Sequence, residues 1–169
     1  MHLFLAIDRV SKFAYVELHA TAEMATGAAL MRGVVAVVPY QIHTGLTDNG
    51  VAFTHCASTR WDTMVHPFDR VCCEHGITHK RTKPSPPWTN GQAERMNRTV
   101  KDATVKVFHY ETLENLSAPV QAFIMAHNFA KSLKRLRWRT PFQAICEAWA
   151  KDPTPFKINP HYLIPGPYT

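Results

Sequence analysis

The chain is poor in the features that define several large classes of protein. Only four of its 169 residues are cysteine (Cys56, Cys72, Cys73 and Cys146), and none is spaced C-x-x-C, so neither a simple disulfide framework nor a standard zinc spacing is present. His55, His66 and His75 lie near the adjacent pair Cys72 and Cys73, but reduced cysteines in a half-buried helix account for that cluster more simply than a metal does. There is no apolar run of membrane-spanning length and no basic-then-apolar leader after Met1, so a soluble, cytoplasmic protein without a membrane partner is expected. Internal repeats and low-complexity tracts are also lacking. With 46% hydrophobic and 19% charged residues, wholesale disorder is excluded and one domain with a real core is expected.

Acidic residues are scarce in two places. Residues 80–101 hold Lys80, Arg81, Lys83, Arg95, Arg98 and Lys101 against Glu94 alone, and residues 131–139 hold Lys131, Lys134, Arg135, Arg137 and Arg139 with no acid. Each segment carries +5, whereas the remainder carries −4 of the net +6. A solvated charged face would explain some of this, but two concentrated basic segments on an acidic body predict a polyanion footprint.

Periodicity gives the organisation. Residues 2–8 and 13–19 read as two strands joined by a short connection, an antiparallel hairpin. Thr21 is placed to cap a helix over 22–38, which Gly27 and Gly33 weaken and Pro39 stops. A strand over 42–47 then delivers Asp48. The stretch 54–66 reads as a surface excursion, 67–74 as a short helix closed by Gly76, and 77–81 as a strand. Three prolines in 82–88 require an extended loop. Thr89 and Gln92 form a capping box for a helix whose buried stripe is Ala93, Met96, Val100, Ala103 and Val107. Glu94, Arg98 and Lys101 share another face of it. A helix over 113–130 follows, then one opened by Thr140 and Pro141 and running to Ala150. The division expected is a core over 1–150 and a Pro-rich extended tail over 151–169. Strands alternating with helices after a hairpin predict a mixed α/β sheet flanked by helices.

Within that frame stand an acid at a strand end, Asp48, and an acid in the first turn of a basic helix, Glu94. The Asp48-Asn49-Gly50 run is by itself an ordinary turn signal. Two carboxylates brought together repel unless a cation neutralises them, and hard oxygen ligands suit Mg²⁺ or Mn²⁺ with waters and substrate phosphates. Paired ions of this kind can activate an attacking hydroxyl and stabilise a leaving oxygen. The surrounding cations would hold a phosphate backbone.

The segments TDNGVAFT (47–54), PSPPWTNGQAERMNRTVKDA (84–103) and AIDRVSKFAYVEL (6–18) together resemble the catalytic core of retroviral-type integrases, and more closely the bacterial insertion-sequence transposases of the DDE type. The resemblance covers residues 2–148. It implies a ribonuclease-H-like fold and metal-dependent polynucleotidyl transfer at DNA ends, with DNA as partner, a homo-oligomer, and a nucleoid-associated location in a bacterium. Three acids would bind two ions. Asp48 matches the second and Glu94 the third, and both would be catalytic and metal-binding. Asn90 falls in the active-site loop, and Arg98 and Lys101 match the face that approaches DNA. Lys83, Lys134, Arg135 and Arg137 complete the expected DNA-binding set. The first acid of the family lies on a strand before the hairpin, so that strand is expected to be missing here. Asp8 reads as a turn residue in Asp-x-x-Ser-Lys, not as its substitute. Besides the enzymatic reading, two others follow: a truncated, inactive remnant that keeps DNA affinity, and a ribonuclease-H-like nuclease of another class.

Overall fold

The computed structural model describes residues 2–55, 65–82, 91–104 and 113–163. The apolar alternation of the opening segment produces a hairpin of β1 (His2–Ile7) and β2 (Ala14–His19), antiparallel, with Leu3 opposite Leu18, Leu5 opposite Val16 and Ile7 opposite Ala14. Because side chains alternate along a strand, these six share one face. That face packs on Met96 and Val100 of α3 (Gly91–Ala103) and on Leu116, Val120 and Ile124 of α4 (Leu113–Phe129). Phe4 and Tyr15 point the other way, towards Leu30 and Val34 of α1 (Met24–Val37).

The cap expected at Thr21 is not used. Glu23 occupies the N-cap, where its N–H donates to the Thr26 hydroxyl at 3.0 Å and its carbonyl accepts from the Thr26 N–H at 3.1 Å. Gly27 and Gly33 do not weaken α1 so much as let it approach its neighbours. A β-carbon at 27 would stand 1.9 Å from the Ala52 carbonyl oxygen, and one at 33 would stand 2.3 Å from the Tyr15 hydroxyl. Tertiary contact outweighs the helix propensity lost at both positions. Pro39 ends the helix as expected, with Val38 extended before it.

The strand β3 (Thr44–Thr47) runs parallel to β4 (Thr78–Arg81), with α2 (Pro67–Glu74) between them in sequence. Gly76, at φ +65°, turns the chain from α2 into β4. Phe68, Val71, Cys72 and Ile77 pack here against Ala28 and Met31 of α1. The stripe on α3 differs from the sequence reading: Ala103 is exposed, and Thr104 is buried instead, its hydroxyl donating to the Val100 carbonyl at 2.7 Å. A four-residue spacing from Val100 keeps to the helical face better than three at this helix end. Val107, Thr89 and most of the 54–66 excursion lie outside the described residues.

At the C-terminal side, α5 (Pro141–Lys151) begins as expected with Thr140 as cap, here in a full capping box with Gln143. Residues after Asp152 run back onto the core: Gln41 N–H donates to the Pro155 carbonyl, Lys157 N–H to that of Pro39, and Phe156 stacks edge-on against Tyr40. Among the described residues, β1 pairs with β2 and β3 with β4, and no hydrogen-bonded pairing joins β1 to β3.

Candidate active site

Between those two strand pairs lies a cavity of about 1350 Å³. It is lined by consecutive residues, Leu3 to Ile7 on one side and His43 to Asp48 on the other. Since alternate residues of a strand face opposite ways, an unbroken run of lining residues means that each strand turns its edge to the cavity. Asp48 and Glu94, distant in sequence, are both among the residues that line it.

Each acid is set by a local device. Asp48 follows the buried last residue of β3, and its Oδ1 accepts from the Gly50 N–H at 2.9 Å. The turn is fastened to the next strand by Asn49, whose amide donates to the Thr82 carbonyl at 3.0 Å. Glu94 is exposed in the first turn of α3, where the helix dipole favours an anion.

Behind Asp48 runs a chain of hydrogen bonds that sequence reasoning did not find. Asp69 of α2 meets His79 Nδ1 at 2.5 Å, His79 Nε2 meets the Thr47 hydroxyl at 2.7 Å, and that hydroxyl lies 3.0 Å from the Asp48 carbonyl oxygen. Thr47 is 9% exposed and the His79 side chain 8% exposed, so these two links are largely removed from water, whereas Asp69 at the far end is open to it. The three residues come from three elements, and a spacing pattern could not have linked them.

Asp8 also lines the cavity, but its carboxylate is engaged by its own turn. It accepts from the N–H groups of Val10 at 3.2 Å and Ser11 at 2.9 Å, and from the Ser11 hydroxyl at 2.5 Å. Among the described residues no group of three or more His, Cys, Asp or Glu side chains is gathered as a metal site. Two hard carboxylates at one cavity fit a cation that keeps waters and takes substrate oxygen as further ligands. They supply less charge than two ions would need. None of the described cysteines, Cys72, Cys73 and Cys146, lines the cavity. Burial, then the nearby Asp69 charge, pushes the Cys72 thiol up to about 11, and Cys146 is raised by burial as well.

Of the remaining candidates, Arg98 and Lys101 are exposed on α3. Lys134 and Arg135 occupy a short 3₁₀ turn, and Arg137 closes it at φ 54°. Arg139 is withdrawn from the basic set by an ion pair with Glu147. Lys83 and Asn90 lie outside the described residues.

The integrase core domain family model matches residues 75–141. The crystal structure of the catalytic core domain of BIV integrase superposes with a TM-score of 0.65 at 18% identity, over 88% of each chain. The fold is that of a retroviral integrase catalytic core. A chain of the simian T-cell lymphotropic virus intasome, solved in complex with a PP2A regulatory subunit, gives the same TM-score of 0.65 at 19% identity, over 84% of this chain and 47% of that one. In sequence, an uncharacterised Caenorhabditis elegans protein is 29% identical over 106 residues, 63% of this chain. A retrovirus-related Pol polyprotein from a Nicotiana tabacum transposon is 34% identical over 86 residues, 51% of this chain. The alignments span 8% and 5% of those two proteins' own lengths. No helix of the described residues is long and apolar enough to cross a membrane.

Proposed function

We propose that this chain is the core of a DNA integrase or transposase, and that Asp48 and Glu94 are its catalytic, cation-holding acids. The observation that carries the reading is that both acids line one cavity. The integrase-core match and the likeness to integrase structures support it. The reaction is transfer at a DNA phosphodiester. An attacking hydroxyl loses its proton and forms a new P–O bond while the bond to the departing 3′ oxygen breaks and that oxygen takes up a proton. Mg²⁺ or Mn²⁺ held by Asp48 and Glu94 would supply Lewis-acid stabilisation of the phosphoryl oxygens. The Gly50 N–H fixes the orientation of Asp48, and the start of α3 carries Glu94 to the same cavity. Arg98, Lys101, Lys134, Arg135 and Arg137 hold the duplex, with Lys83 and Asn90 completing the contact. Residues 1–150 form the catalytic unit and 151–169 an extension of it. The protein acts inside the cell as a homo-oligomer, in keeping with the intasome to which its fold is similar.

A second reading is favoured by one observation: Asp8 is consumed by its turn, which leaves two acids at the cavity. In that reading the described core binds DNA, and full chemistry requires a further acidic strand seated between β1 and β3. The test is a strand-transfer assay with Mg²⁺ or Mn²⁺ on labelled duplex ends. It compares this chain with a form carrying such a strand upstream, each with Asp48→Asn and Glu94→Gln. Either acid variant should reduce transfer by more than the roughly 10–100-fold that loss of an outer-shell partner brings. Activity that survives both variants would refute the assignment. Full activity of the short chain, abolished by Asp8→Asn, would make Asp8 the third acid. Transfer confined to the extended form would establish the second reading.

A further inference from the structure

The hairpin turn, the first half of α3 and the segment after α4 enclose a second, smaller cleft of about 280 Å³. Lys12, Arg95, Lys131, Lys134 and Arg135 line it, together with Thr99, and none of the described residues that line it is acidic. Its floor includes Ile7 and Met96, so the cations sit over an apolar surface that strengthens electrostatics relative to bulk water. Five like charges drawn from three parts of the chain repel one another unless an anion joins them. Arg139, at the end of the same segment, has Glu147 beside it, whereas the described lining of this cleft contributes no carboxylate and Asp8 acts on Lys12 from outside that lining.

Lys12 is held in place for this. Its backbone sits at φ +65°, uncommon for a residue with a β-carbon, and its ammonium donates to the Gln92 side-chain carbonyl at 3.2 Å and to the Arg9 carbonyl. Burial keeps that ammonium below the usual lysine range. Asp8 opposes the shift, while Arg135 and Arg9 add to it. Gln92 is shared: it lines this cleft and also the cavity of Asp48 and Glu94. A cleft slightly below the ~300–1,000 Å³ of typical small-molecule sites suits phosphate groups better than whole nucleotides.

We propose that this cleft seats backbone phosphates of duplex DNA, next along the strand from the phosphodiester presented to Asp48 and Glu94. The proposal rests on the function given above and adds Lys12, Arg95, Lys131 and Thr99 to the DNA-contacting residues. Gln92 marks the passage of the strand from one site to the other. Such contacts carry no sequence information and serve to fix the register of the duplex.

The test is binding of a fluorescein-labelled duplex to the full chain, followed by anisotropy across a KCl series without divalent metal. Arg95→Gln, Lys131→Gln and Arg135→Gln are exposed substitutions that spare the core, and Lys151→Gln at the end of α5 serves as control. Each of the three should lower the slope of log K against log salt by about 0.9, and the triple variant by about three times that. A triple variant with the slope of Lys151→Gln, beside a flattened slope for Arg98→Gln with Lys101→Gln, would overturn the cleft, and Arg135 as a duplex contact with it, and leave Asp48 and Glu94 as the proposed site of chemistry on DNA. Loss of inorganic triphosphate binding with unchanged duplex binding would reduce it to a small-anion site and also overturn the proposal. Salt-independent or absent binding of DNA by the unsubstituted chain would overturn both.

Discussion

Replacing Thr47 by valine tests whether the hydrogen-bonded chain from Asp69 through His79 governs Asp48. Valine keeps the shape of threonine, so packing at this 9% exposed position is nearly conserved and the change isolates the hydroxyl. That hydroxyl has one proton and two neighbours, His79 Nε2 at 2.7 Å and the Asp48 carbonyl at 3.0 Å. If it donates to the carbonyl, His79 must donate to it; if it donates to His79, the carbonyl loses a donor. In both arrangements valine breaks the link. The loss is one net hydrogen bond, about 1 kcal/mol, plus about 1–3 kcal/mol for leaving a buried imidazole nitrogen without its partner. The share held by Asp69 is discounted, because that carboxylate is 43% exposed and screened. A total of about 2–4 kcal/mol corresponds to a fall in Tm of roughly 4–16 °C at about 2–4 °C per kcal/mol for a chain of this size. Urea unfolding measures the stability. Mn²⁺ titration of the folded variant measures the site, where affinity should weaken by about 10–100-fold, as for other outer-shell losses. A double-mutant cycle with His79→Phe should give coupling of at least about 0.5 kcal/mol. A valine variant within about 0.5 kcal/mol of the parent, with unchanged Mn²⁺ affinity, would refute the reasoning.

Three further outcomes follow. Asn128, 2% exposed on α4, donates to the Ala14 carbonyl at 2.7 Å and accepts from the Ala14 N–H at 2.9 Å. Asn128→Ala should therefore destabilise by about 2–5 kcal/mol in urea, since two buried backbone groups lose their partners. His66 caps α2 by accepting the Phe68 N–H at Nδ1, and His127 faces the Lys12 carbonyl; burial lowers the pKa of both rings. The unfolded chain then takes up protons first, so stability is full above about pH 6.5 and falls as pH drops through the lowered folded values. Thermal melts from pH 8 to 5 should show this, and His66→Asn, which retains a capping oxygen, should flatten it. Trp138 is 70% exposed at φ 64°; Trp138→Gly should raise stability by about 1 kcal/mol in urea by relieving the left-handed backbone.

Much of this was legible from local chemistry. The cap at Thr140, the stop at Pro39 and the turn at Gly76 depend on a few adjacent residues, and the structure keeps all three. The use of Gly27 and Gly33 was not legible, because their reason is Ala52 and Tyr15, which come from other elements. The same holds at the site. The motif context singled out Asp48 and Glu94, but nothing in the order of residues told that His79 and Asp69 stand behind one of them, or that Lys12 faces Arg135. Charge counting found the two basic segments. It could not find that one residue of the hairpin turn joins them, or that Arg139 leaves the set by pairing with Glu147.

The divided sheet bears on how the site is held. In a continuous sheet the ladder of backbone hydrogen bonds would fix Asp48 relative to β1. Here, among the described residues, β1 and β3 both line the cavity with edges that have no strand partner, and the apolar residues sort into separate clusters on either side. Position must therefore pass through other parts. Asp48 is tied to the β3–β4 side by Thr47, His79 and Asn49, whereas Glu94 belongs to α3, which packs on the hairpin side through Met96 and Val100. The bridging structures are α1, whose Leu30 meets Phe4 while its Met31 meets Ile77, and the returning chain at Phe156, packed on Tyr40. A strand supplied between the edges would satisfy both rows of backbone groups at once. It would also stiffen the relation between the two acids. Any increase in stability on seating such a strand should thus be accompanied by tighter cation binding at Asp48 and Glu94, and the two effects should be lost together when the strand carries a proline at its centre.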